Sequence, residues 1–583
     1  MQQNTSFMTN LLKDKRHLST TWMLVALCFL SLFLFLGDTL FNTRGEPREA
    51  VVALSMLKEG NWILPINNGV DIAYKPPFFH WLVALFSLPI GHVTEYTSRL
   101  PSALTLSVMT IATFRFYAKR TNEIVALVTA AVLLTSFEVH RAGVACRVDM
   151  VLTCMMVLSL FELYKWYEKN FHGFPLCAIL CLSGAFLSKG PVGTLLPLAV
   201  VAVFALVKGK SFWGITWRFS MVLILSLVIP LAWYFAAYHE GGQRFLDLIY
   251  EENVLRLLGK MSYESHVNPW YYNVMTIATG FLPYTLLALT ALFVVRWKNV
   301  FTRFSAPHAW TQKTVEWLKK VDAVQLFTLL SFAIIFVFYC IPKSKRSVYL
   351  LPAYPFLAYY LAEMLLWMKE KHERILAAFG HFIAILSLLT VVAFVIVRCG
   401  MVPDFNVGHG KHAADTLDTI NAMHSSPLSF MAILASSLPL IATIFYWQKG
   451  RKKPLFGTLF LIFALWFSLD GAILPLILNA KSDKPKADYI NTLAPTGEVY
   501  SYRTDVTPGN PMHPFTINFY LNDRVVPFEA KKPAEGFLIV GNDEIHDFCR
   551  TYPKYHVEFC KEFEKRSCDD HKTIKIYRFC NEY

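Results

Sequence analysis

The stretch from Gly37 to Arg99 combines acids, bases and aromatic residues between apolar runs of the chain. Its motif GEPREA holds Glu46 and Arg48, and YKPPFFHW holds Lys75 and His80. A positioned carboxylate or imidazole can accept a proton in a transition state, and Lys or Arg can bind phosphate. A polar loop of this composition in an otherwise apolar chain is where chemistry is expected. We predict that it forms the first wall of an active site.

Similar polar residues follow several later apolar runs. They are Arg147 and Asp149 in CRVDM, Lys189 in LSKGPVG, Glu252, Asn253 and Arg256 in EENVLRL, His266 in HVNPWYY, and Lys345, Arg346 and Tyr349 in PKSKRSVY. Basic groups on the outer side of a membrane run against the preference of Lys and Arg for the cytoplasmic side, so they need a partner. Any one of them alone would be read as a snorkelling side chain. For the whole set, an anionic, phosphate-bearing substrate is the simplest partner.

The elements that position these residues are predicted membrane helices. The chain has 583 residues, 55% of them hydrophobic and 17% charged. Its apolar runs of about 17 to 25 residues are typical of an α-helical polytopic membrane protein, here with about thirteen spans. The candidate spans are 20–37, 98–118, 122–140, 149–167, 174–188, 191–207, 218–239, 270–295, 322–341, 347–368, 375–397, 428–447 and 455–478. The net charge of +13 lies in short clusters between spans, which argues against a nucleic-acid partner.

Those basic clusters also predict the orientation. With the N-terminus in the cytoplasm, clusters such as Lys119–Arg120 and Lys449 to Lys453 fall on the inner side, and the C-terminal tail falls outside. The first apolar run, Thr21 to Leu36, follows basic residues but precedes no small-residue cleavage site, so we predict a retained signal anchor. Pro76 to Gly91 is short and opens with two prolines, which favours a helix in the outer interface over the alternative of a span.

Residues 481–583 have the composition of a soluble domain. Helical periodicity predicts helices at 486–493 and 543–551, and alternation of apolar residues predicts strands. The predicted strands are 498–503, 524–528, 536–540, 557–563 and 573–579. We therefore expect a small α/β domain outside the membrane. Its Cys549, Cys560, Cys568 and Cys580 would lie in an oxidising compartment and suggest one or two disulfides, with free thiols as the alternative.

Taken in order, the blocks GEPREA, YKPPFFHW, RLPSA, CRVDM, LSKGPVG, EENVLRL with HVNPWYY, and PKSKRSVYLLPAYP resemble the GT-C superfamily of polyprenyl-phosphate-sugar-dependent membrane glycosyltransferases. This superfamily contains the aminoarabinose lipid A transferases and the protein O-mannosyltransferases. The likeness is strong over roughly the first 370 residues and extends to the rest only in layout. It implies a GT-C catalytic domain at residues 1–480 in the bacterial inner membrane and a periplasmic domain at residues 481–583.

Two positions depart from the superfamily pattern. Its first motif often reads Asp-Glu-x-Arg, whereas Gly45 stands at the Asp position here, with Glu46 and Arg48 in place. The aminoarabinose branch tends to carry Glu before Lys-Pro, and this chain has Tyr74. Both differences bear on the choice of donor and acceptor and leave the reaction class unchanged.

The resemblance implies a sugar donor on polyprenyl phosphate, whose departing phosphate is stabilised by cations. The expected donor phosphate-binding residues are Lys75, Lys189, Arg256, Lys345 and Arg346. The expected catalytic carboxylates are Glu46 and Asp149. Further substrate contacts are expected from Arg48, His80, Arg147, Glu252, Asn253, His266 and Tyr349.

The acceptor decides what the carboxylates do. A hydroxyl acceptor needs a general base for a single inverting displacement. A phosphate acceptor has a second pKa of about 6, so it is already ionised and leaves the carboxylates to orient Arg48 and Arg147. For Glu46 the alternative is a favourable charge at the N-terminus of the helix that Pro47 opens. The acceptor is expected to be lipid A or another cell-envelope molecule, or a protein, as for the O-mannosyltransferases.

Other function classes have less support. The chain contains neither a Walker loop nor a Rossmann fingerprint, so a nucleotide-sugar donor and ATP coupling are unsupported. The 17 His show no HExxH motif or paired metal spacing, so no cofactor is expected, although a divalent ion held by phosphate and Glu46 stays open. A lipid-linked sugar carrier is the alternative from another class, because intramembrane charges also mark transport paths. We find no inverted internal repeat that would favour it.

Overall fold

The computed structural model is mostly helical and describes residues 2–255, 260, 267–295, 320–401, 419–502, 513–542 and 544–581. The helices of the first part are α1 (Gln2–Leu32), α2 (Gly45–Glu59), α3 (Phe78–Ser87), α4 (Glu95–Ala118), α5 (Glu123–Thr135), α6 (Phe137–Gly143), α7 (Val148–Glu168), α8 (Leu176–Lys189), α9 (Val192–Val207) and α10 (Phe212–Tyr250). Those that follow are α11 (Tyr272–Gly280), α12 (Tyr284–Val294), α13 (Ala323–Cys340), α14 (Tyr354–Lys371), α15 (Glu373–Arg398), α16 (Phe430–Gln448), α17 (Pro454–Ser468) and α18 (Leu474–Asn479).

Within the described residues, five helical segments are long and apolar enough to cross a membrane, or up to seven if each of two bent pairs counts as one span. The bent pairs are α5 with α6, at 67°, and α11 with α12, at 105°. The fold is that of a multi-pass membrane protein, and the count of about thirteen spans stays a prediction. Some predicted spans fall short because α8 and α9 are brief, while α4 and α7 carry buried polar side chains such as Arg99 and Thr153.

Two short helices hold the polar loop after α1. Helix α2 has Glu46 and Pro47 in its first turn and ends at Gly60, whose φ of 72° forms a left-handed cap. Helix α3 has only 10 residues, about 15 Å at the rise of an α-helix, which is too short to cross a bilayer. It packs against α2 and α4. The segment from Pro76 to Gly91 therefore does not span.

A frame of packed helices sets the level of the site. Helix α7 packs against α4, α8 and α9. The contact of α7 with α4 contains stacked rings, with the centroids of Phe116 and Phe161 4.2 Å apart. Tyr164 of α7 also packs against Phe327 of α13, with the ring centroids 4.6 Å apart. Close packing of α7 against α8 brings the first turn of α7, which begins at Val148, next to Lys189 at the end of α8.

The C-terminal part combines a sheet with short helices. A hairpin of β1 (Ile66–Asn67) and β2 (Asp71–Ile72) precedes it in the polar loop. The later elements are α19 (Lys484–Leu493), β3 (Val499–Ser501), α20 (Phe515–Tyr520), β4 (Val525–Pro527), α21 (Phe528–Lys531), β5 (Glu535–Gly541), α22 (Ile545–Thr551), β6 (Tyr555–Phe563) and β7 (Ile574–Asn581). The sheet order is β4-β3-β5-β7-β6, with β3 parallel to β4 and β5, and with β7 antiparallel to β5 and β6.

The C-terminal part rests on the outer face of α2. The ring of Phe519 lies 4.7 Å from Phe41 in an edge-to-face contact, inside a cluster that includes buried residues of α2. Asp523 accepts a hydrogen bond from the backbone N–H of Asn68 at 2.9 Å and another from the Ser55 hydroxyl at 2.8 Å. The Tyr520 hydroxyl donates to Glu95 at 2.6 Å. These contacts fix α2 between the membrane helices and the C-terminal part.

The expected disulfides are not formed. Cys549, Cys560, Cys568 and Cys580 are all free thiols. Cys568 is instead part of a polar cluster, where its backbone N–H donates to Asp483 at 3.0 Å. Cys580 pairs across the sheet with His556, and Cys560 lies at a register shift of β6. The prediction of one or two disulfides is therefore wrong for this structure. Only Cys560 and Cys580 lie on strands, and the register sets Cys580 opposite His556, whereas Cys549 lies in α22 and Cys568 lies between β6 and β7.

Candidate active site

Glu49 is the centre of an ion cluster in the polar loop. Its Oε1 accepts hydrogen bonds from Arg48 Nη2 at 2.8 Å and from Lys75 Nζ at 2.6 Å, and its Oε2 lies 3.0 Å from His80 Nε2. Helix α2 supplies Arg48 and Glu49, the turn before α3 supplies Lys75, and the first turn of α3 supplies His80. The carboxylate and the imidazole are buried, whereas the side chains of Arg48 and Lys75 are 38% and 34% exposed. The two cations therefore keep part of their surface for a ligand.

The neighbours of Glu49 also determine its charge. Burial alone would favour the neutral acid, but Lys75, Arg48 and His80 hold the pKa of Glu49 well below its ordinary value. Glu49 is thus ionised at neutral pH and is a weak proton acceptor. Its role in this geometry is to orient two cations.

Glu46 forms a separate, buried ion pair with Arg99. The Arg99 Nε and Nη2 donate to Oε1 and Oε2 at 2.9 and 3.0 Å, and the backbone N–H of Cys146 donates to Oε1 at 2.8 Å. Arg99 also donates to the carbonyl oxygens of Leu36 and Thr39, so it ties the segment after α1 to α2 and α4. Burial opposes ionisation, yet Arg99 and the Cys146 N–H hold the pKa of Glu46 below its ordinary value. These contacts suit a positioning role better than that of a general base.

Asp149 pairs with Lys189 across the frame of α7 and α8. The Nζ of Lys189 donates to Oδ1 of Asp149, and the same ammonium lies 4.4 Å from the ring centroid of Tyr349. Asp149 is in the first turn of α7 and Lys189 in the last turn of α8, where Gly190 reverses the chain with a φ of 80°. The site therefore has a second carboxylate that orients a cation, and an aromatic ring beneath it.

The loop after α13 supplies two more cations. Lys345 is 6% exposed, and its Nζ donates to the carbonyl oxygen of Asn268 at 3.3 Å. Asn268 Nδ2 donates in return to the carbonyl oxygen of Lys345 at 2.9 Å, which holds the loop in place. Burial and the nearby guanidinium groups of Arg48 and Arg147 lower the pKa of Arg346. Arg48, Arg147 and Arg346 are therefore close enough for their charges to act on one another.

The π-helical turn that follows α10, Glu251–Leu255, lies beside these residues. The Tyr74 hydroxyl donates to Glu252 Oε1 at 3.0 Å, so a carboxylate lies beside the position where Tyr74 departs from the superfamily pattern. Asn253 donates to the carbonyl oxygen of Ile249, and its Oδ1 lies against Gly190. The two other residues expected here, Arg256 and His266, lie outside the described residues.

Most of the expected site residues are therefore in one region. Arg147 joins them, because its guanidinium lies against Gly45 at the start of α2, and its charge also acts on Glu46 and Asp149. The cations of the region are Arg48, Lys75, Arg147, Lys189, Lys345 and Arg346, and its carboxylates besides the Arg99-bound Glu46 are Glu49, Asp149 and Glu252. Positive charge exceeds negative charge, which is suited to a ligand with phosphate.

A possible metal-binding group lies elsewhere in the described residues. It consists of Asp483, Cys568 and Asp569 in the C-terminal part. Lys486 Nζ already donates to Asp483 at 2.6 Å, and an ammonium in that position opposes a metal cation. In the candidate active site, Glu46, Glu49 and Asp149 already form salt bridges with Lys or Arg side chains.

Three residues contribute to this geometry but were not predicted from the sequence as site residues: Glu49, Arg99 and Asn268. Glu49 lies one turn after Glu46 on the same helix, so helical spacing could have indicated it. The Arg99 contact with Glu46 spans 53 positions and the Asn268 contact with Lys345 spans 77, so no local pattern shows either.

Comparison with known proteins gives a consistent set of likenesses. A family model described as dolichyl-phosphate-mannose-protein mannosyltransferase matches residues 74–234. An uncharacterised protein of Aquifex aeolicus is 26% identical over 513 residues, which cover 86% of this chain and 88% of that protein. The undecaprenyl phosphate-alpha-4-amino-4-deoxy-L-arabinose arabinosyl transferase of Shewanella sediminis is 25% identical over 393 residues, 65% of this chain and 66% of that enzyme.

A solved structure extends the likeness over nearly the whole chain. ArnT of Cupriavidus metallidurans bound to undecaprenyl phosphate superposes with a TM-score of 0.67 at 18% identity, covering 95% of this chain and 97% of that one. At 18% identity, the superposition shows a shared fold and does not by itself show a shared activity. Together with the sequence matches, it confirms the resemblance drawn from the ordered motifs.

Proposed function

Because this chain belongs to the GT-C superfamily of membrane glycosyltransferases and uses a polyprenyl-phosphate-linked sugar, we propose that it transfers the sugar to a phosphate group of lipid A or a similar envelope lipid. The proposed site is on the periplasmic side of the inner membrane. The proposed sugar is 4-amino-4-deoxy-L-arabinose or a related pentose or hexose, which is the sugar in the names of several relatives.

The proposal of a phosphate acceptor rests on one observation. Three carboxylates of the site already form ion pairs with Arg or Lys. Glu46 is bound by Arg99, Glu49 by Arg48 and Lys75, and Asp149 by Lys189. A carboxylate engaged in this way gives up proton affinity, so it serves a hydroxyl acceptor poorly as a base. A phosphate acceptor is already largely ionised near neutral pH and needs orientation instead.

The roles of the residues follow from their contacts. Lys75, Lys189, Lys345 and Arg346 are proposed to bind the phosphate of the donor, and Arg256 is proposed as a further contact. When the bond between sugar and phosphate breaks, charge grows on the leaving oxygens, and these cations stabilise that charge. Asp149 holds Lys189, one of these cations, in place, so it remains the proposed catalytic carboxylate. Inversion at the sugar follows if the acceptor attacks opposite the departing phosphate.

Substrate contacts beyond the donor phosphate are proposed for the remaining residues. They are Arg48, His80, Arg147, Glu252, Asn253, His266 and Tyr349. Glu252 is held by Tyr74 and offers a carboxylate to a polar or cationic group of the sugar. Tyr349 offers an aromatic face, already shared with Lys189.

Mass spectrometry of the envelope lipids tests this function. A strain that lacks the gene should lose one sugar modification of lipid A, and the wild-type gene should restore it, whereas Asp149→Asn should not. An unchanged lipid A profile together with an altered protein glycan would contradict the proposed acceptor. It would support the second candidate, a protein acceptor, which the family match over residues 74–234 favours.

A further inference from the structure

Gly45 leaves a space that the side chain of Arg147 fills. A Cβ atom at position 45 would lie 2.9 Å from Nη2 of Arg147 and 3.4 Å from its Cζ. Gly45 is the first residue of α2 and is absent from the positions with positive φ, so its backbone does not require glycine. Because Gly45 has no side chain, the guanidinium group of Arg147 can lie against the start of α2.

The surrounding described residues do not satisfy the hydrogen-bonding groups of the Arg147 side chain. Its Nε is buried without a hydrogen-bond partner among the described residues. The charges of Glu46 and Asp149 act on it, but Glu46 is bound by Arg99 and Asp149 by Lys189. The N-terminal end of a helix carries partial positive charge, which disfavours a cation there. A buried donor in such a place calls for an anion that the protein itself does not supply.

The other cations of the region have partners within the protein. Arg48 and Lys75 have Glu49, Lys189 has Asp149, and Lys345 has the carbonyl oxygen of Asn268. Arg147 shows no side-chain hydrogen bond to any described residue. Its charge and that of Arg48 both act on Arg346, so the three cations are near one another.

We propose that Gly45 is a specificity-determining position, which opens the space for Arg147 to bind a phosphate oxygen of a substrate. This proposal rests on the proposed function, since it names a phosphate as the ligand of the same site. The phosphate can belong to the lipid donor or to the acceptor. A side chain at position 45 would displace the guanidinium, and an aspartate there would neutralise it.

Three variants of the full-length protein in detergent test the proposal: Gly45→Asp, Gly45→Asn and Arg147→Gln. Asn has the size of Asp without its charge, so it separates displacement of Arg147 from its neutralisation. Arg147→Gln removes the charge without crowding α2, so it serves if Gly45 variants fail to fold. Binding of undecaprenyl phosphate is measured by tryptophan fluorescence, with undecaprenol as the phosphate-free control, and KM is measured for lipid A.

Gly45→Asp and Arg147→Gln should weaken phosphate binding by about tenfold to a hundredfold, the usual loss for a charge-assisted hydrogen bond, and Gly45→Asn should weaken it less. A raised Kd for undecaprenyl phosphate assigns Arg147 to the donor phosphate. An unchanged Kd with a raised KM for lipid A assigns it to the acceptor phosphate. Wild-type values of both constants in folded Arg147→Gln would overturn the proposal. A wild-type protein that binds undecaprenol as tightly as undecaprenyl phosphate would instead contradict the proposed function.

Discussion

Arg99 donates to both carboxylate oxygens of Glu46, from Nε at 2.9 Å and from Nη2 at 3.0 Å. The pair is buried and is completed by the backbone N–H of Cys146 at 2.8 Å. Its position, where α1, α2 and α4 meet, makes it a fixed point for the helix that carries Arg48 and Glu49. Glu46 therefore holds the site together, and its low pKa makes it a poor acceptor of protons.

Glu46→Gln should destabilise the protein more than it slows the reaction. Removing one partner of a buried pair leaves Arg99 uncompensated and costs on the order of 3–5 kcal/mol. The apparent Tm in detergent should fall, while turnover per folded molecule stays within a few fold of wild type. Glu162→Gln, which removes an exposed pair with Lys165 on α7, is the control and should change little. A normal Tm with a severe loss of turnover would show that Glu46 is a base for a hydroxyl acceptor.

Asp149→Asn should lower turnover and leave donor binding nearly intact. The amide keeps the shape of the carboxylate but no longer fixes the ammonium of Lys189, which the reaction needs in place as the phosphate departs. We expect kcat to fall about a hundredfold or more, with a Kd for undecaprenyl phosphate close to wild type. If folded Asp149→Asn turns over at the normal rate, Asp149 is only a structural partner of Lys189.

Lys345→Ala should weaken donor binding as well as turnover. The Lys345 ammonium is buried, with a long contact of 3.3 Å to a carbonyl oxygen, so a phosphate would be its natural partner. A phosphate contact is made in both the ground state and the transition state, and its loss should raise Kd about tenfold. Lys343→Ala, two positions away on an exposed residue, is the matched control. Equal effects of both substitutions would point to general surface charge and argue against a specific contact.

Acid pH should stabilise the C-terminal part through Asp569. Burial and the nearby Asp483 raise the pKa of Asp569 to about 7, whereas an unfolded Asp has a pKa of about 3.9. Between these values the native state binds more protons, so the unfolding free energy falls as pH rises, by up to about 1.4 kcal/mol per pH unit. The apparent Tm should drop between about pH 5 and pH 7, and Asp569→Asn should flatten this dependence. The same slope in the variant would assign the effect to another group.

The local patterns of the chain indicated much of its fold. The strand predicted at 536–540 lies within β5 (Glu535–Gly541), and the helix predicted at 486–493 matches α19 (Lys484–Leu493), because alternation and helical period are local signals. The span count could not be obtained in this way. Hydropathy measures contact with lipid, whereas α4 buries polar residues such as Arg99 and Ser102 among other helices.

The candidate site was predictable as a set of residues and unpredictable as a set of contacts. The order of the motifs indicated Lys75, Asp149, Lys189 and Lys345, and the structure pairs Lys75 with Glu49, Lys189 with Asp149 and Lys345 with Asn268. Their partners come from distant parts of the chain: Lys189 binds a residue 40 positions away. Only the packing of α7 against α8 decides that pair, so sequence spacing carries no sign of it.

Consumption of the donor by purified protein is the most direct test of the proposed sugar transfer. The protein in detergent, with no membrane gradient, is mixed with undecaprenyl-phosphate-linked aminoarabinose and lipid A, and both lipids are followed by mass spectrometry. We predict that free undecaprenyl phosphate and sugar-modified lipid A appear in equal amounts, and that Asp149→Asn abolishes both. Donor that is bound by the protein but remains intact, with no modified lipid A, would contradict the account and indicate a carrier of lipid-linked sugar.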